Sequence, residues 1–394
     1  MSKFFRTLLQ RSYLALIAIP FKLMPSLAYM AFNGQGSTAQ LCRHIARQGA
    51  QRVLIVSDKI LVELGIVGKA VEVLKEEGVE CVIYDGILPD PTFAMVDEGL
   101  ALQQQHNCDA VLAIGGGSSI DCAKTISSAA TNGRDGRKLE GYFKVKAAPL
   151  PLFALPTTSG TGSEATIAAV ISDPASHEKC FLADPKMLPK AVALDADLLL
   201  GMPAPITAAT GMDALTHAVE TYISLWGTES SNGYGFAAVK MIFDYLPRAY
   251  ADGSDMEARA NMMSAAAMGA TAFQKGLGAI HAMSHPIGAH FNTHHGTTNA
   301  VCMPAVLEFN APAIADRFNM AAAYLGIDGG FDGFCAFVQE LNDSLGIPRG
   351  LSDLGVTEAA IPDLVKGAIT DPSCGGNPIQ LTEENLTELF KAAM

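Results

Sequence analysis

Short runs of β-branched and aliphatic residues punctuate the first half of the chain: RVLIVSD at 52–58, ECVIYDG at 80–86 and DAVLAIGGG at 109–117, each ending in Asp or Gly. Helix-like spacing fills the stretches between them, such as 63–77 and 93–106, and a further strand pattern, LPLFALPTT, follows at 150–158. Strands alternating with helices predict a parallel sheet covered on both faces. After about residue 202 the texture changes to long Ala- and Met-rich helical patterns, among them ITAATGMDALTHAVETYI and ARANMMSAAAMGATAF, with few strand signals. The expected organisation is an N-terminal extension over 1–30, an α/β domain over 31–201 and an all-helical domain over 202–394.

Composition agrees with two folded domains. The chain has 394 residues, of which 49% are hydrophobic, enough for two cores at ~100–200 residues per domain. A net charge of −13 repels phosphate backbones, which sets nucleic acid aside as a partner. The eight cysteines are scattered with no C-x-x-C pair, a usage that fits reduced thiols in a cytoplasmic protein better than a disulfide frame. Only the N-terminus departs from the average. No Asp or Glu precedes Asp58, and Lys3, Arg6, Arg11 and Lys22 surround the apolar run YLALIAIPF at 13–21. A spanning helix needs ~20 apolar residues, and this run is short, interrupted by Pro20 and followed by no small-x-small cleavage site. Packing of 1–30 on the body or on a partner subunit is favoured over contact with a membrane surface.

The first chemical signal is AIGGGSSIDCAK at 113–124. A strand that runs through three glycines into a helix lets backbone approach a phosphate, and the helix N-terminus offers free N–H groups and partial positive charge. Ile120 stands where the G-x-G-x-x-G fingerprint requires its third Gly. The glycines alone fit equally well a tight strand–helix turn in which Ser118 and Asp121 form a capping-box-like pair. A second loop, PTTSGTGSE at 156–164, also follows a strand and is dense in hydroxyls and glycine; two such loops favour a dinucleotide. Asp58 ends its strand where an acid could accept hydrogen bonds from a ribose 2′-OH and repel a 2′-phosphate, although strand-end Asp is also a common helix cap.

The helical half supplies candidate metal ligands. Asp213 and His217 stand four apart in GMDALTHA, so that on a helix they share a face, and His281 and His285 repeat the spacing. Five of the chain's nine histidines (His281, His285, His290, His294 and His295) fall within HAMSHPIGAHFNTHH. One carboxylate with two or three imidazoles suits a divalent first-row metal such as Fe(II), Zn(II) or Mn(II).

The blocks GGGSSIDCAK, PTTSGTGSEAT, TAATGMDALTHAVE and GAIHAMSHPIGAHFNTHHGTTNA together resemble, in order and over about residues 31–394, the signature blocks of the iron-dependent alcohol dehydrogenases, the group that includes lactaldehyde and butanol reductases. The resemblance implies a dehydroquinate-synthase-like architecture: an α/β domain with a parallel Rossmann-like sheet, an all-α C-terminal domain, and metal and nicotinamide meeting between them. It also implies metal ligands at Asp213, His217, His281 and His295. Cofactor contacts are implied at Asp58, Gly116, Gly117, Ser118, Asp121, Thr157, Thr158 and Lys179, and His285 is implied to lie near nicotinamide and substrate as a proton relay. His290 and His294 are left as pocket or surface residues. Two departures from the family pattern, Asp90 in LPDPT and the missing Pro after Asp195 in LDADL, bear on cofactor affinity.

The expected activity is hydride transfer between a small alcohol or aldehyde and NAD(H). The metal, Fe(II) with Zn(II) as the alternative, polarises the substrate oxygen. A homodimer or higher homo-oligomer is expected. The competing readings are a glycerol-dehydrogenase-like or dehydroquinate-synthase-like enzyme on the same architecture, and a non-catalytic scaffold, against which the intact ligand set argues.

Overall fold

A computed structural model of the chain describes residues 28–173, 178–273 and 276–394. The basic apolar run at 13–21, and with it the question of a membrane contact through 1–30, lies outside the described residues. The described residues of 28–202 and of Gly253–Ala267 form one compact unit, and those of Pro203–Asp252 and Met268–Met394 form another.

The first unit is built on a six-stranded parallel sheet of β1 (Met30–Asn33), β2 (Arg52–Val56), β3 (Glu80–Tyr84), β4 (Ala110–Gly115), β6 (Leu152–Pro156) and β9 (Ala191–Leu194). The strand order is β1-β9-β6-β4-β2-β3. A smaller sheet joins β5 (Gly141–Tyr142) to β8 (Glu178–Ala183) and pairs β8 antiparallel with β7 (Ala168–Asp173), a hairpin that the sequence pattern did not announce. Every residue of β4, β6 and β9 is buried, which is why these strands read as continuous apolar runs rather than alternating ones. The edge strands β1 and β3 carry the exposed positions.

Helices α1 (Ser37–Arg47), α2 (Lys59–Glu63), α3 (Ile66–Glu76), α4 (Phe93–His106) and α5 (Gly117–Thr131) alternate with these strands. The helical stretch read at 63–77 holds the end of α2 and all of α3, because Gly65, at φ 74°, turns the chain between them. Asp195, at the end of β9, accepts hydrogen bonds from the N–H groups of Gly36 at 3.2 Å and Thr38 at 2.9 Å. It thereby satisfies donors at the start of α1.

The second unit is helical. Its central helix is α6 (Ala204–Ile223), buried almost continuously from Thr207 to Thr221, as expected of a helix that is apolar or small on all sides. Around it lie α7 (Glu229–Ala251), the end of α8 (Met256–Phe273), α9 (Ala279–Phe291), α10 (His295–Leu325), α11 (Gly330–Ser344), α12 (Ile361–Thr370) and α13 (Glu383–Ala392). A Cβ on Gly211 of α6 would stand 2.3 Å from Leu246 Cδ1 of α7, and one on Gly235 of α7 would stand 2.9 Å from Ala218 O. Glycine thus sets the close approach of these two helices. Among the described residues no helix is long and apolar enough to cross a membrane.

One buried cation ties the loops of the α/β unit together. Lys124 on α5 is fully buried, and its Nζ donates to Ser163 Oγ at 2.9 Å, Thr166 Oγ1 at 2.8 Å and Ala168 O at 2.6 Å. Asp121, one turn earlier, accepts the Ser163 hydroxyl on Oδ1 and the Val170 N–H on Oδ2 at 3.0 Å. Burial lowers the Lys124 ammonium to about 8 against the pull of Asp121, and burial pushes the neighbouring Glu164 carboxyl up to about 7. Lys124→Ala leaves these acceptors and carboxyls without their cation, and removal of one partner from a buried ionic network costs about 3–5 kcal/mol. Urea unfolding of the variant is expected to show a loss of that size; a loss below about 1 kcal/mol, the worth of one ordinary hydrogen bond, would mean that the loops are held by other contacts.

Candidate metal centre and nucleotide loops

Three adjacent parallel strands bring the first set of sequence-derived residues together. β2, β4 and β6 lie side by side, so the segments leaving their C-terminal ends line one edge of the sheet: Asp58 after β2, Gly116–Ser118 after β4, and Thr157 and Thr158 after β6. The chain leaves β2 toward β3 on one side and returns to β4 on the other. Such a reversal is where open α/β sheets bind ligands.

The two loops touch. A Cβ on Gly117 would stand 2.7 Å from Thr161 Cγ2, so a larger residue there would push the loops apart, while one on Gly116 would stand 3.4 Å from Thr158 Cγ2, in ordinary contact. Gly116, Gly117 and Ser118 remain partly open to solvent, as the N–H groups of an anion-binding helix start must be.

Other residues of the set have occupations of their own. Asp58 caps α2 by accepting the Leu61 N–H at 2.9 Å. The capping-box-like pairing of Ser118 with Asp121 does not form: Gly116 is the N-cap of α5 and makes no side-chain cap, while Asp121 takes the Ser163 hydroxyl of the second loop on Oδ1 and the Val170 N–H of β7 on Oδ2. Lys179 on β8 pairs with Asp90 at 3.4 Å, and Asp90, at φ 60°, also accepts the Ser172 hydroxyl at 2.8 Å. The unusual acid at position 90 therefore holds a candidate cofactor contact.

The second set gathers in the helical unit. Asp213 on α6, His281 on α9 and His295 on α10 place one ligand atom each so that all lie within 4.8 Å of one another. His217 lies beside them but outside that tight set: its ring stacks on that of His281 at 4.9 Å, and its Nε2 is 3.9 Å from Asp213 Oδ1. Three helices thus contribute i, i+4 pairs: Asp213 with His217, His281 with His285, and His295 with Asn299.

The approach of α10 to α6 depends on Gly296. A Cβ there would stand 2.0 Å from Ala209 O and 3.0 Å from the Asp213 side chain; the glycine after His295 lets that histidine reach Asp213.

A fully buried carboxylate aims His281. Glu220, on α6, accepts the Ile280 N–H on Oε1 at 2.6 Å and faces His281 Nδ1 with Oε2 at 2.6 Å. Assigning the proton to Nδ1 satisfies this contact and leaves Nε2 with its lone pair toward Asp213 and His295. Burial, then the adjacent His217 and His285 rings, hold His281 well below the ordinary histidine value. It is neutral, as a metal ligand must be. Burial pushes Glu220 up to about 7, opposed by the N–H groups at the start of α9.

Asn299 Nδ2 lies 2.9 Å from Asp213 Oδ1, 3.2 Å from His295 Nε2 and 3.4 Å from His281 Nε2. A buried carboxylate beside several imidazoles is a donor set that fits a divalent first-row cation.

His285 is placed differently. Its Nδ1 is 2.7 Å from Asp371 Oδ2, and its ring stacks on His295 at 5.4 Å. It is adjacent to the cluster without belonging to it. Burial alone would raise the Asp371 carboxyl, but His285 and the Ser373 N–H bring it below the ordinary aspartate value. His290 bonds back to Pro286 O of its own helix at 2.9 Å, and His294 is the N-cap residue of α10.

Sequence reasoning missed Glu220, Asn299 and Asp371. The first two had a signal, since each shares a helix face with an assigned ligand; Asp371, 86 residues from His285, had none.

An α/β unit with a glycine-lined sheet edge and a helical unit with a carboxylate–imidazole cluster define a metal-dependent, nucleotide-using oxidoreductase. Family models for iron-containing alcohol dehydrogenase match residues 30–196, and for the C-terminal part of the Fe-containing alcohol dehydrogenase family residues 207–394. The chain belongs to the iron-containing alcohol dehydrogenase family, whose NAD-dependent, metal-dependent transfer of hydride between alcohol and aldehyde is its activity. It is 37% identical to lactaldehyde reductase of Escherichia coli strain K12 over 92% of this chain and 97% of that one. It is also 37% identical to the NAD-dependent methanol dehydrogenase of Bacillus methanolicus, with the same coverage. Among solved structures, a 1,3-propanediol oxidoreductase superposes with a TM-score of 0.92 at 34% identity, over 94% of this chain and 100% of that one.

Two substitutions test the cluster. Gly296→Ala is expected to abolish metal binding, because the added methyl meets a backbone carbonyl that cannot retreat without moving α6. Glu220→Gln is expected to weaken metal affinity by about 10–100-fold while preserving the fold, read by competition with a chelator. Full metal occupancy in Gly296→Ala, or unchanged affinity in Glu220→Gln, would refute the corresponding role.

Proposed function

We propose that Asp213, His217, His281 and His295 hold Fe(II), that the loops at 116–118 and 157–158 hold the NAD pyrophosphate, and that His285 relays the substrate proton. The observation that carries this reading is the convergence of Asp213, His281 and His295 within 4.8 Å. His217 completes the set as the second donor on the Asp213 face of α6. When bound, the metal polarises the substrate oxygen and the nicotinamide carries the hydride.

The chain's own residues supply the rest. Asp213 offsets cationic charge at the centre, Glu220 orients the His281 ring, and the first turn of α5 presents N–H groups to phosphate. Asp121 acts by holding the second loop. Lys179 reaches cofactor from its pairing with Asp90, and Asp58 selects against a 2′-phosphate with the carboxylate that caps α2. His285, partly exposed beside His295, is positioned to exchange a proton with both substrate and solvent.

The substrate class proposed is a small primary alcohol or its aldehyde, in keeping with the lactaldehyde and methanol named for the relatives. A cytoplasmic setting is supported by eight cysteines that are all free. Assembly as a homodimer or larger homo-oligomer is supported by the exposed Met320 and Tyr324, one turn apart on α10.

Chelation is expected to abolish turnover with small primary alcohols while leaving NAD binding measurable by calorimetry, and Fe(II) is expected to restore turnover better than Zn(II). Turnover that survives complete metal removal would overturn the metal assignment. NAD(H) is expected to be preferred over NADP(H), and Asp58→Gly to narrow that preference, because the carboxylate repels a second negative charge. Equal kcat/KM for the two cofactors in the unaltered protein would exclude Asp58 as the discriminating residue.

A further inference from the structure

The turn after α12 reaches α9 beside the candidate metal centre. Asp371 ends α12 and caps the short turn Pro372–Gly376 by accepting the Ser373 N–H on Oδ1 at 2.8 Å. Its other oxygen faces His285 Nδ1 at 2.7 Å. The carboxylate is thus anchored by Ser373 and turns its second oxygen to the His285 ring.

The distance between the two helices is set nearby. A Cβ on Gly367, one turn before Asp371, would stand 2.8 Å from Pro286 Cβ, the residue after His285. Cys374 Sγ donates to Ala368 O at 2.8 Å and closes the turn over the end of α12. A glycine on one helix and a proline on the other therefore bring the carboxylate and the ring to hydrogen-bonding distance. A side chain that merely packed would need neither the anchoring bond nor the close approach.

We propose that Asp371 is the positioning residue for His285: from its anchored place at the end of α12 it holds the ring in one orientation and in the Nδ1–H tautomer, so that Nε2 is the nitrogen presented to the substrate hydroxyl. The inference rests on the reading of His285 as the proton relay. In the oxidative direction His285 Nε2 would take the hydroxyl proton of the alcohol and pass it to water, and bound NAD⁺ would supply the acceptor for the carbon-bound hydrogen as hydride; the products would be aldehyde, NADH and the released proton. In the wrong tautomer Nε2 already carries hydrogen and accepts nothing.

The test uses Asp371→Asn in the full, metal-loaded chain. The amide keeps the size of the carboxylate and an oxygen for the Ser373 N–H, so the turn is retained, but it removes the charge opposite the ring and can present N–H to Nδ1. The expected result is a kcat lower by about 10–100-fold, the range for losing an oriented partner of a functional imidazole, with KM and metal content unchanged. Nitrogen-15 spectra of zinc-loaded protein with labelled histidine, assigned by loss of signal in His285→Ala, are expected to show His285 moving from the Nδ1–H to the Nε2–H form. Asp371→Glu, which restores the carboxylate, is expected to recover the Nδ1–H signal and part of kcat. The double variant His285→Ala/Asp371→Asn is expected to be no slower than His285→Ala alone.

An Asp371→Asn variant with kcat within twofold of the parent and unchanged ring signals would overturn the assignment, as would a double variant that loses the full product of the two single effects. If His285→Ala turns over like the parent, the relay reading of His285 fails by itself. The spectra then still decide for or against Asp371: a changed tautomer sustains its hold on the ring, and an unchanged one refutes it.

Discussion

The contact of Glu220 with the first turn of α9 is the constraint around which the helical unit is arranged. A carboxylate with no access to water is costly unless its oxygens are satisfied, and here they take the Ile280 N–H and the His281 ring. These partners lie where α9 begins, so one interaction fixes where that helix starts and which way its first histidine points. A glycine suits the entry, because a Cβ on Gly278 would stand 3.0 Å from Glu220 Oε1 and 3.1 Å from Asn377 Oδ1, tight against both bonded side chains. Asn377 holds the same place from the other side by accepting the Ala279 N–H at 3.2 Å. Burial, helix capping and ligand orientation are here one interaction.

Much of the fold was legible because its strands are buried on both faces. VLIV, AVLAIG and LFALP are continuous apolar runs, and only a parallel sheet between helices accounts for several of them separated by helical spacing. The antiparallel hairpin of β7 and β8 was not legible. Its residues alternate weakly and are partly exposed, and what defines it is pairing between AAVISD and EKCFLA, a long-range property that no local pattern reports. Nor does the sequence show that Gly253–Ala267 packs with the α/β unit. A helix rich in Ala and Met has no polar stripe from which to read its neighbour.

The candidate site divides in a similar way. Asp213, His281 and His295 could be found because helical spacing and residue type coincide in short motifs. The residues that aim the ligands are harder to see, since an orienting carboxylate is chemically ordinary until its neighbour is known. Glu220 looks like any acid on a helix, and Asp371 like any acid before a proline. Asp121 shows the converse: its place beside the glycine loop suggests ligand contact or capping, and what no local pattern reports is that its two oxygens bridge Ser163 of the second loop and Val170 of β7.

Three i, i+4 pairs on three helices also determine where the gene can change length. Each added residue turns a helix by about 100°. An insertion between Asp213 and Glu220 would therefore carry the ligand and the group that orients its neighbour to different faces, and no side-chain rotation would bring them back together. The turn between α11 and α12 carries no member of these pairs, whereas the one between α6 and α7 is tied to the Pro372–Gly376 turn by the bond from Leu225 N–H to Gly376 O at 3.0 Å. The helices that bear the centre can thus accept a change of residue but not a change of length.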